Sequence, residues 1–121
     1  MALILIVDDS PTEVHVMQKA LEKVGFRTAV AGDGAEGVRL AREMHPDLIF
    51  MDIVMPGMNG YQATRTLTND PATSAIPIVM VTSKGQESDK VWGLRQGAID
   101  YMVKPVSPTD LVAKAQSTLA A

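Results

Sequence analysis

Five short runs rich in apolar side chains alternate with amphipathic stretches along this chain. The runs span residues 3–7, 27–31, 48–51, 78–81 and 100–103. Apolar runs of this length are typical of strands that are buried on both faces, and the stretches between them have helical spacing. The alternation predicts an α/β fold, in which a doubly wound, five-stranded parallel sheet carries helices on both faces.

Cap residues predict where the helices begin. Ser10 and Asp33 each precede a glutamate by three positions, which is the pattern of a capping box. For the second helix the spacing predicts four inward residues: Ala35, Val38, Ala41 and Met44. The fourth helix, residues 87–95, is less apolar than the others.

Length and charge limit the classes of protein that fit. We expect the 121 residues to form one domain, residues 1–121, with no output domain. The chain has 11 Lys and Arg against 14 Asp and Glu, a net charge of -3, so we expect neither nucleic acid nor a membrane as partner. The absence of cysteine excludes disulfides and thiolate metal sites. The apolar residues 1–7 are too few for a membrane span, and we expect a cytoplasmic protein.

Polar residues stand at the carboxyl ends of four predicted strands. Asp8 and Asp9 follow the first strand, and Asp52 follows the third. Thr82 follows the fourth strand, and Lys104 follows the fifth. Because parallel strands all point the same way, we expect these side chains at one edge of the sheet, where ligands bind in such folds.

These five side chains suit phosphoryl chemistry. Three neighbouring carboxylates repel one another unless a cation keeps them ionised, and an all-oxygen ligand set of this size fits Mg²⁺. The Lys104 ammonium and the Thr82 hydroxyl could bind the oxygens of a phosphoryl group. Asp52, on the central strand, is then the natural nucleophile, and its attack on phosphorus would form an acyl phosphate.

Four motifs that contain these residues follow one another along the chain. They are Val7-Asp8-Asp9-Ser10, residues 51–60 (Met-Asp-Ile-Val-Met-Pro-Gly-Met-Asn-Gly), Val81-Thr82-Ser83 and residues 101–105 (Tyr-Met-Val-Lys-Pro). With these motifs the chain resembles, over essentially its whole length, the receiver domains of bacterial response regulators of the CheY type. The resemblance implies a flavodoxin-like (βα)5 fold with the strand order 2-1-3-4-5.

The resemblance also implies a metal site and a phosphoacceptor. Asp52 would accept the phosphoryl group. Asp9 and Asp52 would bind Mg²⁺ directly, and Asp8 would act mainly through a bound water. The backbone carbonyl of Val54 would complete the protein ligands.

Further roles implied by the resemblance concern signalling. Thr82 and Lys104 would contact the phosphoryl oxygens, Thr82 and Tyr101 would be the switch residues, and the Lys104–Pro105 peptide bond would be cis. The phosphoryl donor would be a phosphohistidine on a sensor histidine kinase. A downstream protein would bind the face formed by the fourth helix and the fifth strand. We therefore expect a monomeric signalling phosphoacceptor, whose only catalytic activity is its own phosphorylation and dephosphorylation, rather than an enzyme.

Within the family, residues 51–65 and 89–104 resemble the single-domain receivers of type IV pilus chemosensory systems, which control twitching motility. Such a receiver would act by docking a partner or by draining phosphoryl groups from a shared kinase. Receivers of other chemotaxis-type pathways share most of these motifs and are the alternative.

Other interpretations stay open at the level of sequence. A phosphohydrolase of the haloacid-dehalogenase type also uses an Asp nucleophile, Mg²⁺ and a Lys, but Val54 occupies the position of its second acid. A receiver used only for docking is a third interpretation. Tyr101 could be an ordinary edge aromatic residue, and Trp92 could be either a packing residue or an anchor for a partner. Val54 and Lys84 flank the site, and because Val54 cannot orient water we expect a long-lived acyl phosphate.

Overall fold

The computed structural model describes residues 2–120, and in this range five parallel strands form one sheet. The strands are β1 (Leu3–Val7), β2 (Arg27–Ala31), β3 (Leu48–Met51), β4 (Ile78–Thr82) and β5 (Asp100–Val103). The helices between them are α1 (Pro11–Lys23), α2 (Gly34–Met44), α3 (Gly60–Asn69), α4 (Glu87–Gln96) and α5 (Pro108–Ala120). The order across the sheet is β2-β1-β3-β4-β5. This confirms the predicted α/β, doubly wound, flavodoxin-like fold.

Helices cover both faces of the sheet, and each face has its own apolar core. On β1, Ile4 and Ile6 point toward the core formed with α1 and α5, whereas Leu5 and Val7 point toward the core formed with α2 and α3. This alternation follows from the two-residue period of a strand. Both faces are therefore apolar, and β1, β3 and β4 are buried along their whole length.

The inward face of α2 differs from the prediction at two positions. Ala35 is exposed and Met44 is 43% exposed. The buried residues are instead Gly34, Gly37, Val38 and Ala41. A Cβ on Gly37 would lie 2.9 Å from two methyl carbons of Val7, so α2 lies too close to the sheet for a larger side chain there. The prediction is confirmed for Val38 and Ala41 and wrong for Ala35 and Met44, because it did not consider that glycines could form part of the buried face.

The α4 helix covers the edge of the sheet with little apolar burial. Its buried residues are Gly93 and Gln96, and Gly93 lies against the ring of Tyr101. Trp92 is 48% exposed, which leaves much of its ring available to a partner. Between residues 2 and 120, no helix has the length and the apolar character needed to cross a bilayer.

Candidate functional site

Asp52 lies at the end of β3, where the sheet gives way to a loop. Its backbone N–H donates to the carbonyl of Val7 at 2.9 Å, which continues the pairing of β1 and β3 by one residue. The side chain is buried, and its Oδ1 accepts a hydrogen bond from the N–H of Ile53 at 2.8 Å. Its Oδ2 lies 3.3 Å from Nζ of Lys104. One carboxylate oxygen is thus held by the backbone, and the other faces a cation.

Asp8 and Asp9 stand beside Asp52 at the same edge of the sheet. Each of the three offers a carboxylate oxygen, and these oxygens lie within 4.8 Å of one another. Asp8 is buried, and its Oδ1 accepts a hydrogen bond from the N–H of Ser10 at 2.9 Å, whereas Asp9 is exposed. Three oxygens at this separation could bind one hard cation, so the donor set fits Mg²⁺.

Lys104 extends from the end of β5 into this cluster of acids. Its backbone N–H donates to the carbonyl of Thr82 at 2.8 Å, and its peptide bond with Pro105 is cis. Its Nζ donates to Asp8 Oδ2 at 2.8 Å and also contacts the carboxylate of Glu13. The ammonium therefore lies among three carboxylates that come from different elements.

Burial and charge shift the pKa values of this cluster. Burial raises the pKa of the Asp52 carboxyl, and the nearby Lys104 ammonium and Thr82 hydroxyl only partly offset the rise. For Lys104, burial alone would lower the pKa. Hydrogen bonds to Asp8 and Glu13, together with the negative charges of Asp52 and Asp8, outweigh that effect, and the pKa of Lys104 lies well above its usual range. Lys104 is thus fully protonated at neutral pH.

Thr82 ends β4 at the site, and Tyr101 lies on the neighbouring strand β5. Thr82 is fully buried as the last residue of β4. The hydroxyl of Tyr101 donates to the carbonyl of Lys84 at 2.6 Å, so the half-buried ring points toward the loop after β4. The hydroxyl of Tyr61, on α3, donates to the carbonyl of Asp89 on α4 at 3.2 Å. Tyr101 thus contacts the loop after β4, and Tyr61 joins α3 to α4.

Val54 and Lys84, which the sequence predicts to flank the site, lie in the loops after β3 and β4. Val54 is 60% exposed, two residues beyond Asp52, and its side chain offers no hydrogen-bonding group. Nζ of Lys84 lies 3.7 Å from Oδ1 of Asp89, so its charge is directed toward α4.

Sequence reasoning missed two contacts, that of Glu13 with Lys104 at the site and that of Tyr61 with α4. The capping pattern predicts that Glu13 reaches back to the N–H of Ser10. That N–H instead donates to Asp8, and Glu13 contacts Lys104. One signal was available, because side chains in the first turn of a helix point toward its N-terminus, and here the N-terminus of α1 faces the carboxyl edge of the sheet. No comparable signal identifies Tyr61.

A five-stranded parallel sheet in this order, with an acid cluster and a lysine at its carboxyl edge, is the architecture of a receiver domain. Residues 4–116 match the response regulator receiver domain family, and the chain belongs to that family. It is similar to protein PilH of Pseudomonas aeruginosa, with 57% identity over 120 residues that cover 99% of both chains. The protein is therefore a response regulator, a class of signalling protein.

More distant relatives show the same domain in other settings. The DNA-binding response regulator MtrA of Mycolicibacterium smegmatis is 44% identical over 96% of this chain, but the match covers only 50% of MtrA. Among solved structures, the chemotaxis protein CheY4 of Vibrio cholerae superposes with a TM-score of 0.92, at 30% identity, over 98% of this chain and 99% of that chain. The receiver fold thus occurs both alone and as one part of a longer protein.

Proposed function

We propose that this protein is a stand-alone response regulator that accepts a phosphoryl group on Asp52 from a phosphohistidine of a sensor histidine kinase. The observation that carries the proposal is the buried Asp52 carboxylate, which lies 3.3 Å from the Lys104 ammonium and within the acid cluster of Asp8 and Asp9. A buried acid beside two further acids is costly unless the site uses them. Phosphoryl transfer assisted by a metal uses every one of these groups.

The proposed step forms one bond and breaks one. A carboxylate oxygen of Asp52 attacks phosphorus, the P–N bond to the histidine breaks, and the electron pair stays on the imidazole nitrogen. Lys104 and Thr82 bind the oxygens of the transferred group, on which negative charge develops. Asp8, Asp9, Asp52 and the carbonyl of Val54 would hold Mg²⁺, which would neutralise part of that charge. Water later hydrolyses the acyl phosphate.

The pathway and the partners are part of the proposal. We place the protein in a cytoplasmic pilus chemosensory pathway controlling twitching motility, and the 57% identity to protein PilH supports this. The monomeric protein would dock a target through α4 and β5, where Trp92 is exposed, or act as a phosphate sink. Upon phosphorylation, a movement of Thr82 would be coupled to a movement of the Tyr101 side chain. The Tyr101 hydroxyl donates to a backbone carbonyl in the loop after β4.

Intact mass spectrometry after incubation with acetyl phosphate tests the proposal. We expect the wild type to gain one phosphoryl group only when Mg²⁺ is present, and we expect the Asp52→Ala variant to gain none. Steady turnover of a phosphate monoester would instead indicate a phosphohydrolase. An adduct that persists in Asp52→Ala would contradict the assignment of the phosphoacceptor.

The exposed Val54 leads to a prediction about the lifetime of the acyl phosphate. An asparagine at this position would place an amide where it can orient the attacking water, so we expect Val54→Asn to lose its phosphoryl group about 10 times faster than the wild type. The measurement is the decay of the phosphorylated mass after removal of acetyl phosphate. Val24→Asn is the matched control, since Val24 is similarly exposed, at 47%, but lies at the far end of α1. Equal decay in Val54→Asn and wild type would refute the water-orienting argument.

A further inference from the structure

We propose that Glu13 is a positioning residue that holds the Lys104 ammonium at the rim of the site and so increases the affinity of the acid cluster for Mg²⁺. The inference rests on the proposed function, because it concerns the metal on which phosphoryl transfer would depend. It assigns to Glu13 a role that the capping pattern of α1 does not require.

The contact itself joins two elements that are distant in sequence. Glu13 lies in the first turn of α1 and Lys104 at the end of β5, and 91 positions separate them. The Glu13 side chain is 45% exposed, whereas that of Lys104 is only 13% exposed. Glu13 therefore approaches the ammonium from the solvent side, and the acids of the cluster approach it from the buried side.

Lys104 and a metal ion at the acid cluster would both draw on the carboxylates of Asp8 and Asp52. Nζ of Lys104 lies 2.8 Å from Asp8 Oδ2 and 3.3 Å from Asp52 Oδ2. Both acids belong to the group whose oxygens lie within 4.8 Å of one another. Two cations that share the same oxygens repel each other, so an ammonium held tightly by Asp8 and Asp52 opposes the entry of Mg²⁺.

Glu13 relieves this competition because it offers the ammonium a third carboxylate, outside the acid cluster. When Mg²⁺ takes up the oxygens of Asp8 and Asp52, Lys104 keeps a counter-charge at the rim. Without Glu13, the ammonium would have only the acids that the metal needs. The same position keeps Lys104 at the mouth of the site, where the oxygens of an incoming phosphoryl group would arrive.

Calorimetric titration of the metal-free protein with Mg²⁺ tests this role without any measurement of activity. We expect Glu13→Gln to raise the Mg²⁺ dissociation constant about fivefold, the range of a partly exposed charge pair. Glu36→Gln is the matched control, because Glu36 holds the same position in the first turn of α2, away from Lys104. We expect its dissociation constant to equal that of the wild type.

A double-mutant cycle separates action through Lys104 from simple attraction between Glu13 and the metal. In a Lys104→Met background, Glu13→Gln should change the dissociation constant less than twofold. If Glu13→Gln changes the Mg²⁺ dissociation constant by the same factor in both backgrounds, or in neither background, the inference is overturned. Glu13→Asp needs no change to the buried lysine. It keeps the charge but shortens the side chain by one methylene, and we expect weaker Mg²⁺ binding than in the wild type. A dissociation constant equal to that of the wild type would also overturn the inference.

The titration of the wild type with Mg²⁺ distinguishes a failure of this inference from a failure of the proposed function. If the wild type binds no Mg²⁺ at all, the proposed metal site is wrong, and the role of Glu13 is wrong with it. If the wild type binds Mg²⁺ and Glu13→Gln binds it equally well, only the role of Glu13 is wrong.

Discussion

Replacing Lys104 by methionine is expected to slow the phosphorylation of Asp52 by acetyl phosphate about 100-fold at saturating Mg²⁺, the effect of losing one donor to a developing anion. In the metal-free protein the same change is expected to lower the free energy of unfolding by about 3 kcal/mol, since breaking a buried ion pair leaves its partner unpaired. The side chains of Asp8 and Asp52 are only 1% and 9% exposed, so water cannot replace the missing ammonium.

Magnesium should reverse the loss of stability but not the loss of rate. Without Lys104 the metal meets no competing cation, so we expect Mg²⁺ to raise the melting temperature of Lys104→Met more than that of the wild type. Lys114→Met is the matched control. Lys114 pairs with Asp100, but both side chains are partly exposed to solvent, at 30% and 42%, and its loss should cost less than about 1 kcal/mol. If the Lys104→Met variant is phosphorylated at the wild-type rate, Lys104 takes no part in the phosphorylation reaction.

The strands could be predicted closely from sequence. For β1, β3 and β4 the reason is burial on both faces, which requires apolar side chains along the whole strand. Four of the five predicted strands have the bounds that the structure shows, and β4 is one residue longer because it includes Thr82. The order of the strands could not be worked out in this way. Pairing of parallel strands depends on contacts between distant segments, such as Ile4 with Leu48, and the order came from the resemblance to a known family.

The positions of the site residues along the chain could also be predicted, because Asp8, Asp52 and Lys104 directly follow strands and Thr82 ends one, but the contacts between them could not. Glu13 fits a capping pattern on its own helix, and only the folded chain shows that the N–H of Ser10 is already bonded to Asp8. In α2 the close approach of Gly37 to Val7 decides which face is buried. Local patterns describe one element at a time, whereas these features depend on the distance between two elements.

Gly60→Ala is expected to have the largest effect on stability of any change considered for this chain, although it adds a single methyl group. Gly60 is the first residue of α3 and its N–H donates to the carbonyl of Ile53 at 2.9 Å. An ideal Cβ on Gly60 would lie 2.0 Å from the backbone oxygen of Asp52 and 2.8 Å from Cα of Ile53. Because these atoms are backbone, the clash cannot be relieved by a side-chain rotation.

The loop between β3 and α3 would therefore have to move, and Asp52 would move with it. We expect Gly60→Ala to lower the free energy of unfolding by about 3 kcal/mol or more, as measured by urea denaturation. Gly32→Ala is the control, since a Cβ there meets no atom within 4 Å, and its stability should stay close to that of the wild type. We also expect the folded fraction of Gly60→Ala to be phosphorylated more slowly, because its carboxylate no longer lies at 3.3 Å from Lys104. If Gly60→Ala matches the wild type in both the free energy of unfolding and the rate of phosphorylation, the first residues of α3 can move away from β3 without loss of stability.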